Sequence, residues 1–334
     1  MTDGIGRRGF IAFLGGAGAC LVPAARAQAS QGTRRVAMLL ALDENDPEAR
    51  LRLKEFRLGM RDLGWVEGRN LEIEIRYAGT RRETIEKQAA ELIALAPEVI
   101  LANSTPSIVA LRSAKCAIPV VFAVVNDPVG QGFVSNLTHP GGNFTGFSFI
   151  EPELIGKWIS LLGDVKPDLS RVTLMFNPDT APYLDPYFRT FKATSQGGSM
   201  EVDTAHVRSV AEADSVIAKL GRDPGSGLVA ASDIFIVSAR AGIMQSAEKH
   251  RVPIISSYRQ WVSEGCLMSY GPDTGDINRR ASSYVDRILR GDPPGNLPVQ
   301  SPYKFELCVN LNTAKALGLS IRGSFLQLAD QVIE

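Results

Sequence analysis

Hydrophobic positions along the chain alternate between two spacings. Continuous apolar runs such as RRVAMLLAL (34–42) and IPVVFAVV (118–125) are typical of strands that are buried on both faces of a sheet. Between such runs, the segment PEARLRLKEFRLGMRDLG (47–64) places apolar residues at helical spacing and ends at a glycine. This alternation predicts βα units, in which parallel strands are covered by helices.

The predicted elements form two consecutive series. The first series has strands at 34–42, 71–79, 98–102, 118–125 and 143–149 and helices at 47–64, 82–96 and 107–115. The second has helices at 151–165, 183–196, 210–221, 237–250 and 274–290 and strands at 171–176, 200–207, 226–232, 252–257 and 265–271. Two similar series predict two Rossmann-like α/β lobes with parallel sheets.

The two lobes are predicted to exchange segments near the C-terminus. Lobe 1 spans 34–150 and takes a return segment at about 274–300, while lobe 2 spans 151–273. The Pro-rich, extended stretch 291–311 suits a connection that returns across a cleft, and a helix at 312–321 is expected to be capped by Asn312 or Thr313. The C-terminal segment at about 303–334 is assigned to lobe 2, with lobe 1 as the open alternative.

The first 27 residues predict a cleaved export signal. RRGFI (7–11) resembles a twin-arginine motif, a weakly apolar Gly-rich stretch follows it, and ARA (25–27) fits a signal-peptidase site. A lipid anchor at Cys20 is the less favoured alternative, because AGA (17–19) lacks a large aliphatic residue before the cysteine. The mature protein is therefore predicted to be periplasmic.

Composition argues against several function classes. The 36 basic and 36 acidic residues cancel and form no basic block, which disfavours nucleic-acid binding. The three histidines lack metal-ligand spacing, and we find neither a Cys-x-x-Cys pair nor a nucleophile elbow. We therefore predict no metal, no cofactor and no catalytic set. Beyond the signal, Cys116, Cys266 and Cys308 lie in apolar settings and are predicted to be inert core thiols.

Polar residues follow most of the predicted strands. In parallel sheets, ligands bind beyond the carboxyl ends of the strands, so these residues are the candidates for a ligand site. The candidates are Thr80, Asn103, Ser104, Thr105 and Asp127 in the first series and Asn177, Asp233, Tyr258 and Tyr270 in the second.

The stretch NSTP (103–106) joins a buried strand to a helix. Pro106 suits the first helical turn, and Ser104 or Thr105 before it can cap the helix. The free amides and the positive dipole end of the same helix can instead hold an anion such as a carboxylate. The two interpretations are compatible if one hydroxyl caps while the other faces a ligand.

The other candidates also have structural alternatives. Asp127 can accept from an ammonium group, or it can form an Asx turn before the following proline. Asp233 can bind a ligand or cap the next helix. Tyr258 and Tyr270 can contact a flat ligand, or they can simply pack at the rim of the sheet.

Several segments together resemble a known family. They are RRGFIAFLGG, ARAQ, FRLGMRDLGWVEGRNLEIEIRYA, NDPVGQGFVSNLTHPGGNFTGFS, MSYGPD and KFELCVNLNTAKALGL. With these segments, nearly the whole chain resembles the ABC transporter substrate-binding proteins of the tryptophan/tyrosine type, which have the type I periplasmic-binding fold.

The resemblance implies two lobes, joined by three crossover segments, that close over a small ligand. It implies a permease and an ATPase at the inner membrane as partners, and we expect the chain itself to be a monomer and not an enzyme. It assigns Ser104 and Thr105 to a ligand carboxylate and Asp127 to an amine, with Asp233 and Tyr258 contributing from the second lobe.

Two questions stay open at this stage. The segment FNPDTAPYLD (176–185) departs from the family pattern, because Pro178 and Pro182 stiffen it and remove donors. The ligand is therefore an amino acid or another small carboxylate. The alternatives for function are a ligand-sensing module of a membrane receptor and a two-domain α/β enzyme, for which the sequence shows no nucleophile or base.

Overall fold

The computed structural model describes residues 32–150, 152–194 and 200–334. These residues form two sheets with flanking helices. The predicted export signal, with its arginine pair and Cys20, lies outside the described residues. Within the described ranges, no helix has the length and the apolar character needed to cross a membrane.

The first sheet has five parallel strands in the order β2-β1-β3-β4-β5. Its elements are β1 (Arg34–Leu40), α1 (Pro47–Asp62), β2 (Leu71–Tyr77), α2 (Arg82–Ala94), β3 (Val99–Asn103), α3 (Thr105–Ser113), β4 (Val120–Val125) and β5 (Phe144–Ser148). Strands β3, β4 and β5 are buried along their whole length, which explains why β3 and β4 read as apolar runs rather than alternations. This sheet and its helices form lobe 1.

The second sheet has seven strands in the order β12-β11-β10-β9-β8-β6-β7 and forms lobe 2. The elements after β5 are α4 (Leu154–Val165), β6 (Arg171–Phe176), α5 (Leu184–Thr194), β7 (Glu201–His206), α6 (Val210–Leu220), β8 (Ser226–Ala230), α7 (Ile234–His250), β9 (Ile254–Ser256), α8 (Gln260–Ser263), β10 (Met268–Pro272), α9 (Thr274–Leu289), a 3-10 turn (Pro294–Asn296), β11 (Phe305–Asn310), α10 (Leu311–Leu317), α11 (Gly323–Leu326) and β12 (Gln331–Ile333).

The chain passes between the two sheets three times. It crosses after β5 and again between β10 and α9, because α9 packs against α1 and against β3 and β4 of lobe 1. It crosses a third time between Gln300, which pairs with Phe147, and β11. The predicted α/β fold of two lobes with three crossovers is confirmed. One pair departs from parallel order, because β11 enters lobe 2 from the lobe 1 side and runs antiparallel to β10.

Two glycines permit close approaches that the fold requires. A Cβ at Gly59 would lie 2.2 Å from Ser282 Oγ and 2.6 Å from the Arg279 carbonyl, so this glycine sets the crossing of α1 and α9. Gly146 of β5 has φ +150°, and a Cβ there would lie 2.0 Å from the Phe122 carbonyl of β4. Both positions hold the lobe 1 elements in register.

Two smaller predictions concern a helix cap and the cysteines. The prediction that Asn312 or Thr313 caps the last predicted helix is wrong, because Asn310 is the cap and its Oδ1 accepts from the Thr313 amide at 3.0 Å. Cys116, Cys266 and Cys308 are free and buried. Burial raises the pKa of Cys266 to about 12, which fits an unreactive core thiol.

Candidate functional site

The carboxyl ends of strands from both lobes meet around a small cavity, which we call the cleft cavity. It is lined by Ser104, Thr105, Pro106, Val124 and Asn126 of lobe 1 and by Thr180, Tyr183, Ser232, Ile234 and Tyr258 of lobe 2. Its volume is about 10 Å³, which is space for about one water molecule. The lobes are therefore in contact across the site rather than held apart.

A second cavity of about 120 Å³ adjoins the cleft cavity and shares Pro106 and Thr180 with it. Thr80 lines this outer cavity together with Arg82 and Glu86 of α2. The predicted candidate Thr80 thus lies beside the cleft cavity and not in its lining.

Ser104 and Thr105 stand at the start of α3, but neither hydroxyl caps the helix. Ser104 occupies the N-cap position without a capping bond, and its Oγ accepts from Arg52 Nη1 at 3.1 Å. The Thr105 hydroxyl is buried and has no hydrogen-bond partner. The structural alternative, a helix cap by one of these hydroxyls, is therefore wrong, and both side chains face the cleft cavity or the group behind it.

Arg52 of α1 lies behind Ser104 and is fully buried. Its Nε donates to Glu48 Oε1 at 2.9 Å, one turn earlier on the same helix, while its Nη2 has no partner. Asn103 at the end of β3 is also fully buried, with neither atom of its side-chain amide partnered. Since most buried polar atoms in proteins are hydrogen-bonded, these free atoms form an incomplete polar surface. We call Arg52, Asn103, Ser104 and Thr105 the lobe 1 wall.

The backbone beside the lobe 1 wall is strained. Ser104, Val124 and Asp127 have φ values of 74°, 58° and 44° at the ends of β3 and β4. Side chains other than glycine adopt this region rarely, and each such residue costs about 1–3 kcal/mol, most clearly for β-branched valine. Strain of this kind at adjacent strand ends is typical of functional sites.

Asp127 forms a turn beside the site. Its Oδ1 accepts from the Gly130 amide at 2.9 Å, as the Asx-turn alternative predicts. The carboxylate is partly exposed and is not among the groups that line the cleft cavity. The preceding residue, Asn126, takes that position instead, and its Oδ1 accepts from the Ile150 amide at 2.9 Å.

Asp233 organises the opposite side of the cleft. It caps α7 by accepting from the Phe235 amide at 3.0 Å, and it also accepts from the Asn177 amide at 2.7 Å and from Thr180 Oγ1 at 2.5 Å. Burial raises the pKa of Asp233 to about 6, although these hydrogen bonds favour the charged form. Asn177 in turn accepts from the Asp179 amide at 2.9 Å. Asp233 and Asn177 thus support the cavity lining without being part of it.

Tyr183 connects the two lobes. Its hydroxyl donates to the Ser232 carbonyl of lobe 2 and accepts from Asn126 Nδ2 of lobe 1 at 2.7 Å. Burial raises the pKa of Tyr183 well above its ordinary value, so the hydroxyl stays protonated. We call Asn177, Thr180, Tyr183, Ser232 and Asp233 the lobe 2 wall.

Tyr258 packs on other aromatic rings. It stacks on Phe149 with ring centroids 5.5 Å apart and on Trp261 at 5.3 Å, and its hydroxyl lies 3.3 Å from Ser232 Oγ. Burial raises the pKa of Tyr258 to about 12. The hydroxyl is therefore the part of Tyr258 that is suited to meet a ligand, because protein rings already stack on the side chain.

Tyr270 has a different environment from Tyr258. Its ring stacks on Phe305 with centroids 5.8 Å apart and lies under the Lys157 ammonium at 5.7 Å. Its carbonyl accepts from Trp158 Nε1 at 2.7 Å. Tyr270 does not line the cleft cavity, which agrees with the packing alternative.

An ion pair forms a further contact between the lobes. Asp46, the N-cap of α1, accepts from Arg240 Nη1 of α7 at 2.8 Å, and the two side chains are only 9% and 12% exposed. Arg240 also contacts Glu264 at 2.8 Å. The guanidinium is thus shared between one carboxylate of each lobe.

Three of the nine predicted residues, Ser104, Thr105 and Tyr258, line the cleft cavity. The sequence reasoning missed Asn126, Thr180, Tyr183 and Ser232 in the lining and Arg52 behind it. Asn126 and Ser232 each precede an aspartate that was selected, so they carried the same strand-end signal. Arg52 carried none, because it is one of several arginines in a helical pattern. The described residues contain no group of three or more His, Cys, Asp or Glu side chains that could hold a metal ion.

Comparisons with known proteins give a consistent picture. The family model for ABC transporter substrate binding proteins matches residues 45–333. A curated relative, the tyrosine-binding protein of Clostridioides difficile (strain R20291), is 27% identical over 270 residues, which are 80% of this chain and 76% of the relative.

Solved structures with the same fold cover most of the chain. A conserved domain protein from Vibrio cholerae is 26% identical with a TM-score of 0.83, and the match covers 90% of this chain and 99% of that one. An ABC domain from Streptococcus pneumoniae in complex with L-Trp is 23% identical with the same TM-score of 0.83, over 90% of this chain and 100% of that one.

Proposed function

The chain belongs to the family of ABC transporter substrate binding proteins, and from this premise we propose that it is the exported solute-binding protein of an ABC importer. Its two lobes close over a small ligand, which is an amino acid or another small carboxylate. It hands this ligand to a permease and an ATPase at the inner membrane. It acts as a monomer and binds its ligand without converting it.

The observation that carries this proposal is the unfinished lobe 1 wall at the contact between the lobes. Arg52 Nη2, Thr105 Oγ1 and the Asn103 amide are buried without partners, while the facing lobe 2 wall is internally hydrogen-bonded. Binding sites of this class place a few polar groups in a closing cleft. A bound ligand would supply the partners that the lobe 1 wall lacks.

Lobe closure is supported by the contacts that join the lobes. Asn126 bonds to Tyr183 and Asp46 pairs with Arg240. Only about 10 Å³ of space remains in the cleft cavity, so a ligand enters when these contacts part and the hinge opens. Ligand binding then shifts the population between open and closed arrangements by its different affinity for each.

The identity of the ligand is proposed from the relatives and from the donors present. The curated relative is named for tyrosine, and one neighbouring structure holds L-Trp. We assign Ser104 and Thr105 to the ligand carboxylate, and Asp127, which lies outside the present cavity lining but next to the lining residue Asn126, to its amine in the open arrangement. The Tyr258 hydroxyl contributes from lobe 2.

Export completes the proposal. The leader at 1–27, with its arginine pair and ARA site, would carry the chain to the periplasm. Determination of the N-terminal residue of the secreted protein tests this step, with cleavage after Ala27 as the expected result.

Thermal unfolding with a panel of amino acids, aromatic carboxylates, purines and sugars tests the binding function. A specific ligand at 100 times its Kd should add about 2.7 kcal/mol of stability. A Ser104→Ala/Thr105→Ala double variant should lose that response but fold normally. No response from any compound, or turnover of a bound compound, would contradict the proposal.

A further inference from the structure

The buried charge in the lobe 1 wall indicates which residue binds the ligand carboxylate. This inference rests on the proposed function and makes it more specific. Arg52 is a fully buried cation whose one carboxylate partner, Glu48, reaches only its Nε. Its Nη1 bonds to Ser104, and its Nη2 is left without a partner. A guanidinium offers five donors on three nitrogens, and here both donors of one nitrogen, Nη2, are unused.

Arg52 lies close to residues of both lobes that line the cleft cavity. It bonds directly to Ser104, which lines the cleft cavity next to the unpartnered Thr105 hydroxyl. Burial raises the pKa of Tyr258, and the charge of Arg52 opposes that rise, so the guanidinium is also near the Tyr258 phenol of lobe 2. Arg52 therefore lies directly behind the lining of the interlobe site and not in a remote part of the core.

Burial makes an unpartnered guanidinium nitrogen costly. A charged group removed from water loses its hydration, and one single-point contact with a carboxylate restores only part of it. A carboxylate is the complement of the free Nη2, because its hydrogen bond to a guanidinium is charge-assisted and its second oxygen can accept from the neighbouring Thr105 hydroxyl. A neutral polyol could accept single hydrogen bonds but would bring no negative charge to the guanidinium.

We propose that Arg52 is the anion-binding residue of the site and selects ligands that carry a carboxylate. The ligand carboxylate accepts from Arg52 Nη2 and from the Thr105 hydroxyl when the lobes admit it. Glu48 holds the guanidinium in place through Nε, and Ser104 holds it through Nη1. Selectivity for an anion over a neutral ligand thus comes from α1, outside the strand ends.

A purely structural role is the competing explanation. In that case Arg52 and Glu48 fasten α1 to the turn before α3, and both members of the pair matter equally. The anion-binding role predicts opposite effects of the two residues on the affinity for a carboxylate ligand. Replacing Arg52 should weaken that affinity. Replacing Glu48 should maintain or strengthen it, because the guanidinium then lacks its counterion within the protein.

Calorimetric titration of the full chain with matched probes separates these roles. The probes are L-tyrosine and L-tryptophan, their amides, which lack only the carboxylate charge, and allitol as a neutral polyol. Wild type should prefer each amino acid over its amide by at least about tenfold, the scale of a charge-assisted hydrogen bond. Arg52→Gln should remove that preference and change the amide affinities by less than about twofold.

Three further variants complete the test. Glu48→Gln should keep or raise the preference for the carboxylate, and Arg52→Lys should keep part of it, because a charge remains. Arg50→Gln is the matched control, since Arg50 is an exposed arginine of the same helix, and it should leave all affinities unchanged. Thermal unfolding of each variant without ligand verifies the fold.

The outcomes distinguish this proposal from the proposed function. If Arg52→Gln and Glu48→Gln both lower the affinity for amino acids and for their amides by the same factor, the anion-binding role is overturned in favour of a structural one. Binding of allitol or the amides with no preference for the carboxylates would overturn it as well, while the binding function stands. No binding of any probe by the wild type would contradict tyrosine or tryptophan as the ligand, while the wider thermal-unfolding panel tests the other small carboxylates of the proposed function.

Discussion

The two walls of the cleft differ in how far their polar groups are satisfied. In the lobe 2 wall, Asp233 accepts from Asn177 and Thr180, and the Tyr183 hydroxyl both donates and accepts. In the lobe 1 wall, Arg52, Asn103 and Thr105 all keep buried atoms without partners. In the lobe 2 wall the side chains of Asp233 and Tyr183 are therefore satisfied within the protein, whereas the lobe 1 wall keeps polar atoms that a ligand can satisfy.

Backbone strain follows the same division. The positive φ values of Ser104, Val124 and Asp127 lie at the strand ends of lobe 1, while none of the described non-glycine residues at the facing strand ends of lobe 2 has one. Strain and unsatisfied donors both cost stability, and natural sequences retain them mainly where function needs them. The difference between the walls predicts that the same kind of substitution has opposite consequences on the two sides.

The largest effect is expected at the centre of the lobe 2 wall. Asp233→Ala removes the acceptor for two backbone amides and the Thr180 hydroxyl and deletes the cap of α7. The unfolding free energy should fall by about 3–4 kcal/mol, as for other buried networks that lose one partner. Urea unfolding at pH 7 measures the change. Asp179→Ala, which removes an exposed carboxylate from the adjacent turn, is the control and should cost less than about 1 kcal/mol.

If Asp233→Ala lowers the unfolding free energy by less than about 1 kcal/mol, the hydrogen bonds of Asp233 do not stabilise the lobe 2 wall as the structure indicates.

The pH dependence of stability gives the next largest effect. Burial raises the pKa of Asp233 from 3.8 to about 6 in the folded protein, so between these values the folded state binds a proton that the unfolded state has lost. The contribution of this group is therefore full below pH 4 and falls as pH rises through 6, by up to about 3 kcal/mol in total.

Unfolding free energies of wild type and Asp233→Asn between pH 4 and 7.5 isolate this contribution, because asparagine does not titrate. The advantage of wild type over the variant should shrink as pH rises. If the difference in unfolding free energy stays constant or grows as pH rises, the pKa of Asp233 is not raised by its burial.

The sequence predicted the fold better than the site for a physical reason. Strand and helix positions follow from the spacing of apolar residues, which is local. The crossing of the tail was also predictable, because its Pro-rich, extended composition is local too. The antiparallel entry of β11 was not, because it depends on where the chain leaves lobe 1. Cleft residues were predictable only at strand ends, where Ser104 and Tyr258 were found. Tyr183 and Arg52 reach the site from a loop and a helix through tertiary packing, which spacing does not encode.

The most direct comparison of the two walls uses the same substitution on each side of the cleft cavity. Its expected changes in stability are the smallest of these predictions. Thr105 and Thr180 both line the cleft cavity, but the Thr105 hydroxyl has no partner while the Thr180 hydroxyl donates to Asp233. Thr105→Val keeps the shape and removes an unsatisfied group, so stability without ligand should stay within about 0.5 kcal/mol or rise. Thr180→Val should cost about 1–2 kcal/mol, because a buried carboxylate loses a donor.

Ligand binding should reverse that order. Thr105→Val should weaken the binding of L-tyrosine by about tenfold, since the hydroxyl then has nothing to donate to the carboxylate, whereas Thr180→Val should change it by less than about threefold. Urea unfolding and calorimetry on the two variants measure both quantities. A destabilised Thr105→Val with unchanged affinity would mean that the Thr105 hydroxyl has a partner within the protein. The contrast between an unfinished and a finished wall would then no longer explain which lobe holds the ligand.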